Sequence, residues 1–317
     1  MTKIVVLDDY QGLADSFGDW DRLGPEAEVD YLHRHLEGNP LVAALAGAEI
    51  VVAMRERTAF PRALLERLPE LRLLVTTGLA NASIDIKAAN ELGITVCGTH
   101  SGSDGTVELT WALILAATKQ LRREDAAMRR GAWQEHLSGD LNGSILGLVG
   151  LGRLGSAMVP IAKAFQMEVI AWSQNLTAER AAEVGAVRVD KDELFARADV
   201  VSIHLKLSDR TRGLIGAAEL AKMQPSAYLV NTSRGPIVDE AALVDALQRG
   251  AIAGAGLDVY DVEPLPTDHP FLHLDNTVLT PHLGYASEKN FAHYFLEVIE
   301  DIEAYFAGTP RRVLVAE

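Results

Sequence analysis

An arginine, a glutamate and a histidine in the second half of the chain have the chemistry needed to reduce a keto group. Arg234 follows one predicted strand, Glu263 stands a few residues after the next, and His282 follows the last. A guanidinium can hold a carboxylate through two parallel hydrogen bonds. A protonated imidazole can donate a proton to a developing alkoxide, and a neighbouring carboxylate favours the charged ring. These side chains therefore suit hydride transfer to a 2-keto acid.

A glycine-rich turn near the middle of the chain indicates a dinucleotide site. The apolar run Ile145–Val149 leads into Gly150, Gly152 and Gly155, and a helical pattern continues to Phe165. The spacing Gly-x-Gly-x-x-Gly between a strand and a helix allows a tight turn, close approach of a pyrophosphate and close packing of helix on strand. The helix N-terminus would face the phosphates.

The elements that must position these residues alternate between strand and helix patterns. This alternation predicts an α/β protein with parallel sheets covered by helices on both faces. The predicted strands are Ile4–Leu7, Val29–Leu32, Ile50–Met54, Leu73–Thr76, Ile94–Cys97, Ile145–Val149, Glu168–Trp172, Val200–Leu205, Ala227–Asn231, Ala253–Val259 and Thr277–Thr280. The main predicted helices are Leu41–Ala46, Arg62–Leu68, Ile86–Leu92, Val107–Arg130, Ser156–Phe165, Asp239–Arg249 and Asn290–Phe306.

Composition excludes several classes of partner. The net charge of −15 argues against nucleic acid and anionic membranes. No window holds the roughly 18 apolar residues of a membrane span. Cys97 is the only cysteine, so no internal disulfide can form, which fits a cytoplasmic protein. An anionic substrate would depend on local arginines.

Five stretches of this sequence resemble the D-isomer-specific 2-hydroxyacid dehydrogenases, which use NAD or NADP. The resemblance covers nearly the whole chain, and each stretch falls in the order of the family. The stretches are Leu146–Gly155, Asp199–His204, Val230–Asp239, Gly256–Tyr260 with Glu263-Pro264, and Thr280–Gly284.

The resemblance implies two Rossmann-like or flavodoxin-like domains with parallel sheets. A nucleotide domain, residues 100–286, would be inserted into a discontinuous substrate domain, residues 1–99 and 287–317. The active site would lie in the cleft between them. The family also suggests a homodimer, with the Val107–Arg130 helix as a candidate interface.

The resemblance further implies roles for particular residues. Arg234 would bind the substrate carboxylate, His282 would be the acid/base, and Glu263 would be the carboxylate beside it. Arg55 and the loop at Gly78 would also contact a small anionic 2-keto or 2-hydroxy acid. The residues expected to contact the cofactor are Gly150, Gly152, Arg153, Leu154, Gly155, Ser173, His204, Thr232 and Asp258, the last at the nicotinamide carboxamide.

One departure from the family leaves the cofactor open. Members that bind NAD usually carry an aspartate at the position of Ser173, where it bonds the ribose hydroxyls. Without that acid a 2′-phosphate is not repelled, but no Arg or Lys follows closely to bind it. Family frequency favours NAD, and NADP is the alternative.

Two further alternatives stand beside this interpretation. A dinucleotide-sensing binding protein could share the fold without turning over substrate, although intact Arg234, Glu263 and His282 favour an enzyme. His33 and His35 have a spacing that could suggest a metal, but no carboxylate or cysteine completes a set in the sequence. We therefore expect no metal site.

Overall fold

A computed structural model describes residues 1–316 and confirms the α/β class with two parallel sheets. The strands are β1 Thr2–Val6, β2 Ala27–Tyr31, β3 Ile50–Ala53, β4 Leu73–Thr76, β5 Thr95–Gly98, β6 Ile145–Val149, β7 Glu168–Trp172, β8 Val187–Arg188, β9 Val200–Ile203, β10 Tyr228–Asn231, β11 Gly254–Leu257 and β12 Thr277–Leu279. The helices are α1 Ala14–Phe17, α2 Gly38–Ala44, α3 Arg62–Leu65, α4 Ile86–Glu91, α5 Asp104–Thr118, α6 Leu121–Arg129, α7 Arg153–Ala164, α8 Ala178–Val184, α9 Lys191–Arg197, α10 Ala217–Leu220, α11 Glu240–Gln248 and α12 Glu288–Phe306.

The chain divides into two compact units. Unit 1 contains residues 1–102 and the segment from Ala286 onwards, and unit 2 contains Ser103–Tyr285. The sheet of unit 1 has the order β2-β1-β3-β4-β5, which is a flavodoxin-like order. The sheet of unit 2 has the order β12-β11-β10-β9-β6-β7-β8, a Rossmann order with one further strand at the edge.

Every pairing between neighbouring strands is parallel. The inner strands β3, β4, β9 and β11 are buried on both faces, whereas the edge strands β2 and β8 are partly or fully exposed. In unit 2, Val149, Val201 and Leu229 belong to one apolar cluster. Their chain neighbours Leu148, Val200 and Val230 belong to the other. Successive side chains of a strand point to opposite faces of the sheet. The continuous apolar runs in the sequence therefore supply two cores at once, one under each layer of helices.

The prediction of a single helix over Val107–Arg130 is wrong. The structure has α5 and α6 in its place, and Gln120 between them takes a left-handed backbone conformation with φ of 55°. The Gln120 side chain donates hydrogen bonds to Ala117 O and to the Tyr228 hydroxyl, at 3.3 and 2.9 Å. No Gly or Pro marks the break in the sequence. The hydrogen bond to Tyr228 ties Gln120 to β10 at this point.

The two ends of α11 follow the capping chemistry expected from the sequence. Asp239 caps α11 by accepting a hydrogen bond from the backbone N–H of Ala242, and Gly250 follows with φ of 64°. Helix α7 begins at Arg153, directly after Gly152 and three residues before the predicted start. Over residues 1–316, no helix is both long and apolar enough to cross a membrane.

Candidate active site

The carboxyl ends of five neighbouring strands in unit 2 carry the predicted site residues. Strands β12, β11, β10, β9 and β6 lie side by side in that order. In the same order they are followed by His282, Asp258, Arg234, His204 and Gly150. Ligands of open parallel sheets bind beyond the carboxyl ends of the strands, where the strand order reverses. In this sheet the strand order reverses between β6 and β9.

The predicted partnership of His282 and Glu263 exists as a close contact. His282 Nδ1 lies 2.6 Å from Glu263 Oε2, and the two side chains are 19% and 32% exposed. The other carboxylate oxygen, Oε1, accepts the backbone N–H of Tyr260 at 2.9 Å. The glutamate is thus fixed from one side and orients the imidazole from the other. Nε2 is the ring nitrogen that this arrangement leaves to face a reacting group.

The loop that carries His282 is organised by the fully buried carboxylate of Asp258. Its Oδ1 accepts the hydroxyl of Thr280 at 2.6 Å and the backbone N–H of Leu283 at 2.7 Å. Its Oδ2 accepts the backbone N–H of Gly284 at 2.9 Å. Burial raises the pKa of Asp258, and these donors oppose that rise by stabilising the carboxylate.

All of these contacts are with protein groups in the loop that carries His282. His282 adopts a left-handed conformation with φ of 54°, which is costly for a residue other than glycine. Donors on both sides of His282 bind the same carboxylate, so the strained residue is held in place. The contact of Asp258 with a nicotinamide carboxamide stays a prediction.

Arg234 lies in a turn that the end of β10 fixes in place. The Asn231 side-chain amide donates to Arg234 O at 3.0 Å, and Arg234 Nη1 donates to Ser233 O at 2.7 Å. Ser233 Oγ in turn donates to Ile203 O at 2.7 Å, which ties the turn to β9. Thr232, also predicted to contact the cofactor, is buried with its hydroxyl 2.8 Å from that of Thr110.

The three glycines of the central turn differ in what surrounds them. A Cβ on Gly150, whose φ is 104°, would lie 2.5 Å from His204 O, and a Cβ on Gly155 would collide with Gly150 O. A Cβ on Gly152 would meet no protein atom within 4 Å. The turn is therefore tightly packed against the protein at its two outer glycines and open at the middle one.

The open glycine begins a helix whose first turn suits a phosphate. Gly152 is the N-cap of α7 and offers no side-chain cap, so the first backbone N–H groups of this helix point outward. Arg153, exposed, and Leu154, partly buried, are its first residues. Ser173 follows β7, the strand next to β6, and is partly buried. These features fit a dinucleotide pyrophosphate at the turn.

His204 borders the same turn and is held neutral. Its Nε2 lies 2.9 Å from Ser202 Oγ, and its buried Nδ1 has no hydrogen-bond partner within residues 1–316. Burial lowers the pKa of His204 to about 4, because the charged ring would lose its hydration. The ring is therefore uncharged at neutral pH and offers one open nitrogen.

In unit 1 the structure brings together Arg55 and Gly78. Arg55 has φ of 52°, its backbone N–H donates to Thr77 Oγ1 at 2.9 Å, and its Nη1 donates to Thr77 O at 3.0 Å. The side chain of Asn81 donates to Arg55 O at 2.6 Å. A Cβ on Gly78 would collide with the Arg55 guanidinium. Glycine is favoured at this position by its φ of 116° and by the nearby arginine.

Comparison with known proteins identifies the class. Residues 111–284 match the family model described as the NAD-binding domain of D-isomer-specific 2-hydroxyacid dehydrogenases. Glyoxylate reductase from Aeropyrum pernix is 39% identical over 255 residues, which are 77% of this chain and 76% of that protein. D-3-phosphoglycerate dehydrogenase from Archaeoglobus fulgidus is 32% identical over 298 residues, 90% of this chain but only 56% of that longer protein.

Solved structures agree over the full length. A phosphoglycerate oxidoreductase from Vibrio cholerae has a TM-score of 0.92 at 33% identity and covers 97% of this chain and 100% of its own. D-Lactate dehydrogenase from Aquifex aeolicus, solved with NAD and lactic acid, has a TM-score of 0.82 at 26% identity and covers 100% of both. The chain belongs to the D-isomer-specific 2-hydroxyacid dehydrogenase family. It is an NAD-dependent oxidoreductase that acts on CH–OH groups.

The low pKa of His204 predicts a loss of stability in mild acid. The unfolded chain takes up a proton near the ordinary pKa of about 6.5, whereas the folded ring takes it up near 4. Stability contributed by the neutral ring is complete above pH 6.5 and falls as the pH drops toward 4, by at most about 3 kcal/mol. Replacing His204 by Asn removes this titration. Chemical denaturation at several pH values between 7.5 and 4.5 measures the difference from wild type.

The matched control is His273→Asn, because that histidine is exposed. We expect its pH dependence to match wild type, and His204→Asn to show a shallower decline. Parallel curves for wild type and His204→Asn would contradict the burial of the neutral ring.

Proposed function

We propose that this protein reduces a small 2-keto acid to the D-2-hydroxy acid, with NAD(H) as cofactor and His282 as the acid/base. The observation that carries the proposal is the 2.6 Å contact between His282 Nδ1 and Glu263 Oε2 at the carboxyl end of the sheet. The similarity to glyoxylate reductases supports glyoxylate as the first substrate to test. Hydroxypyruvate is the second, because the family resemblance in the sequence includes its reductases.

The residues of unit 2 divide the work as follows. Arg234 binds the substrate carboxylate, which fixes the keto group relative to His282. NADH, when bound, supplies a hydride to C2. His282 Nε2 gives its proton to the oxygen of C2, so that the C=O group becomes CH–OH. Glu263 stabilises the imidazolium before this transfer and keeps the ring oriented afterwards.

Turnover with a keto acid is the direct test. We expect the wild-type protein to oxidise NADH or NADPH with glyoxylate or hydroxypyruvate, measured by the loss of absorbance of the reduced cofactor. His282→Asn removes the proton donor and should lower kcat by about 10²- to 10⁴-fold while cofactor affinity stays unchanged. Glu263→Gln keeps the shape of this side chain but removes the charge opposite the imidazole, so it should also lower kcat.

Two results would count against this function. Cofactor binding without turnover over a broad panel of keto acids would indicate the dinucleotide-sensing alternative. Wild-type rates in His282→Asn would remove this residue from the proton transfer.

The cofactor position predicts that a substitution at Gly152 weakens cofactor binding without affecting folding. In Gly152→Ala the new Cβ meets no protein atom within 4 Å, so the thermal midpoint should stay within about 2 °C of wild type. The same Cβ would stand where the pyrophosphate approaches the backbone, and cofactor affinity should fall by about tenfold or more. Fluorescence titration with NADH measures the affinity.

Gly139→Ala is the control, because a Cβ there makes only an ordinary contact of 3.8 Å with Thr118 O. It should leave both quantities unchanged. Equal cofactor affinity in Gly152→Ala and wild type would mean that the pyrophosphate does not lie on this turn.

Ser173 predicts the choice between NADH and NADPH. We propose that NAD is preferred but that NADP is still accepted, because no acid at this position repels a 2′-phosphate. Ser173→Asp should therefore lower kcat/KM for NADPH by about tenfold or more through charge repulsion and leave that for NADH equal or higher. Gln174→Glu adds the same charge one residue later and serves as the control. If both cofactors respond equally to Ser173→Asp, Ser173 does not face the adenosine ribose.

The remaining assignments stay proposals. They comprise substrate contacts by Arg55 and Gly78 and a homodimer. The contacts of Arg55 support the first. Thr77 Oγ1 and the Asn81 amide hold its backbone at the end of β3, and Thr77 O holds its guanidinium. Turnover of Arg55→Lys, which keeps the charge but loses the planar group, would test it.

A further inference from the structure

Unit 1 contains a cluster of two histidines and a glutamate with metal-binding geometry. His100, His293 and Glu297 each offer one donor atom, and all three atoms lie within 4.8 Å of one another. His293 and Glu297 stand four residues apart on α12, so they share one face of this helix. His100 follows β5, almost two hundred residues earlier in the chain. The cluster therefore joins the two separate segments of unit 1.

The glutamate is already oriented toward the two rings. Its Oε2 accepts the backbone N–H of His100 at 2.6 Å. Its Oε1 lies 2.9 Å from His100 Nδ1 and 3.5 Å from His293 Nε2. A backbone donor thus fixes the carboxylate in the way that outer contacts fix a metal ligand. The oxygen nearest both imidazoles is the one available for a cation.

Two imidazoles and a carboxylate are a recognised donor set for zinc. With bonds of about 2.0 to 2.2 Å, the donors of a tetrahedral site stand about 3.3 Å apart. The two distances from Glu297 Oε1, 2.9 and 3.5 Å, bracket that value. The two imidazole donors lie within 4.8 Å of each other, so a cation would draw the two rings together. The side chains of His100 and His293 are 59% and 44% exposed, whereas that of Glu297 is 10% exposed. A cation can therefore enter from solvent and keep water at its open position.

The neighbouring Arg312 does not prevent cation binding. Its Nη1 lies 3.3 Å from Glu297 Oε1, but its side chain also donates to Glu300 Oε2, Asp301 Oδ1 and Glu297 O. The guanidinium is held by these other acceptors and can leave Oε1 to the cation. Three carboxylates, those of Glu297, Glu300 and Asp301, face this one guanidinium, which leaves the region anionic.

We propose that His100, His293 and Glu297 form a site for a divalent cation of the zinc class, and that the cation stabilises unit 1 by joining the segment after β5 to α12. This site contains none of the residues assigned to catalysis and does not depend on the proposed function. It lies outside what the sequence predicts, although the His-x-x-x-Glu spacing on a helical pattern is a signal that could have been read. His100 could not have been added without the fold.

The test is binding of Zn²⁺ alone to the full-length protein without a histidine tag. Isothermal titration of wild type should show one strong site per chain. His100→Ala and His293→Ala should each weaken it by more than about tenfold, because loss of even an outer contact costs 10- to 100-fold. The matched control is His136→Ala, which removes an exposed histidine that pairs with a single glutamate, Glu124, at 2.9 Å. It should bind like wild type.

Two further readouts separate a built site from adventitious binding. Co²⁺ in place of Zn²⁺ should give the visible absorption of a low-coordinate site in wild type and in His136→Ala, but not in the other two variants. Zn²⁺ should also raise the thermal midpoint in proportion to the logarithm of its concentration, in wild type and in the control only. Absence of a strong site in wild type, or equal affinity in all four proteins, would overturn the proposal.

Discussion

The candidate active site depends on the hydrogen bonds that the buried carboxylate of Asp258 accepts. A charged group inside a protein is tolerated only where donors replace its lost hydration. Here the donors are Thr280, Leu283 and Gly284, which belong to the loop that presents His282. Their hydrogen bonds offset the cost of burying the carboxylate and at the same time organise the loop. The position of the imidazole thus depends on a buried carboxyl group at the end of β11.

The parallel sheet makes this arrangement possible. Because all its strands run in the same direction, their carboxyl ends lie on one edge, and residues far apart in sequence become neighbours. Asp258 and His282 follow adjacent strands, and Glu263 reaches His282 from the segment between them. The hydrophobic runs that bury the strands on both faces are therefore also what sets the geometry of the polar residues.

Much of this could be predicted from the sequence, because strands buried on two faces and a glycine turn leave strong local signals. The pairing of His282 with Glu263 followed from their places after neighbouring strands and from the family resemblance. The break at Gln120 could not be predicted, since no Gly or Pro marks it and the contact with Tyr228 that accompanies it lies on another element. The organising role of Asp258 was hidden for the same reason. Its partners are mostly backbone N–H groups, which every residue carries and no sequence motif reveals.

The two units share one device for presenting a polar side chain. In each, a residue other than glycine follows a strand with left-handed backbone, Arg55 with φ of 52° and His282 with φ of 54°. Such a conformation costs of order 1 to 3 kcal/mol and persists only where its surroundings over-determine it. Thr77 and Asn81 hold the first residue, and Asp258 with Glu263 holds the second. In a regular strand, successive side chains alternate between the two sheet faces. The left-handed residue ends this alternation, and the contacts that hold it then decide where the arginine and the histidine lie.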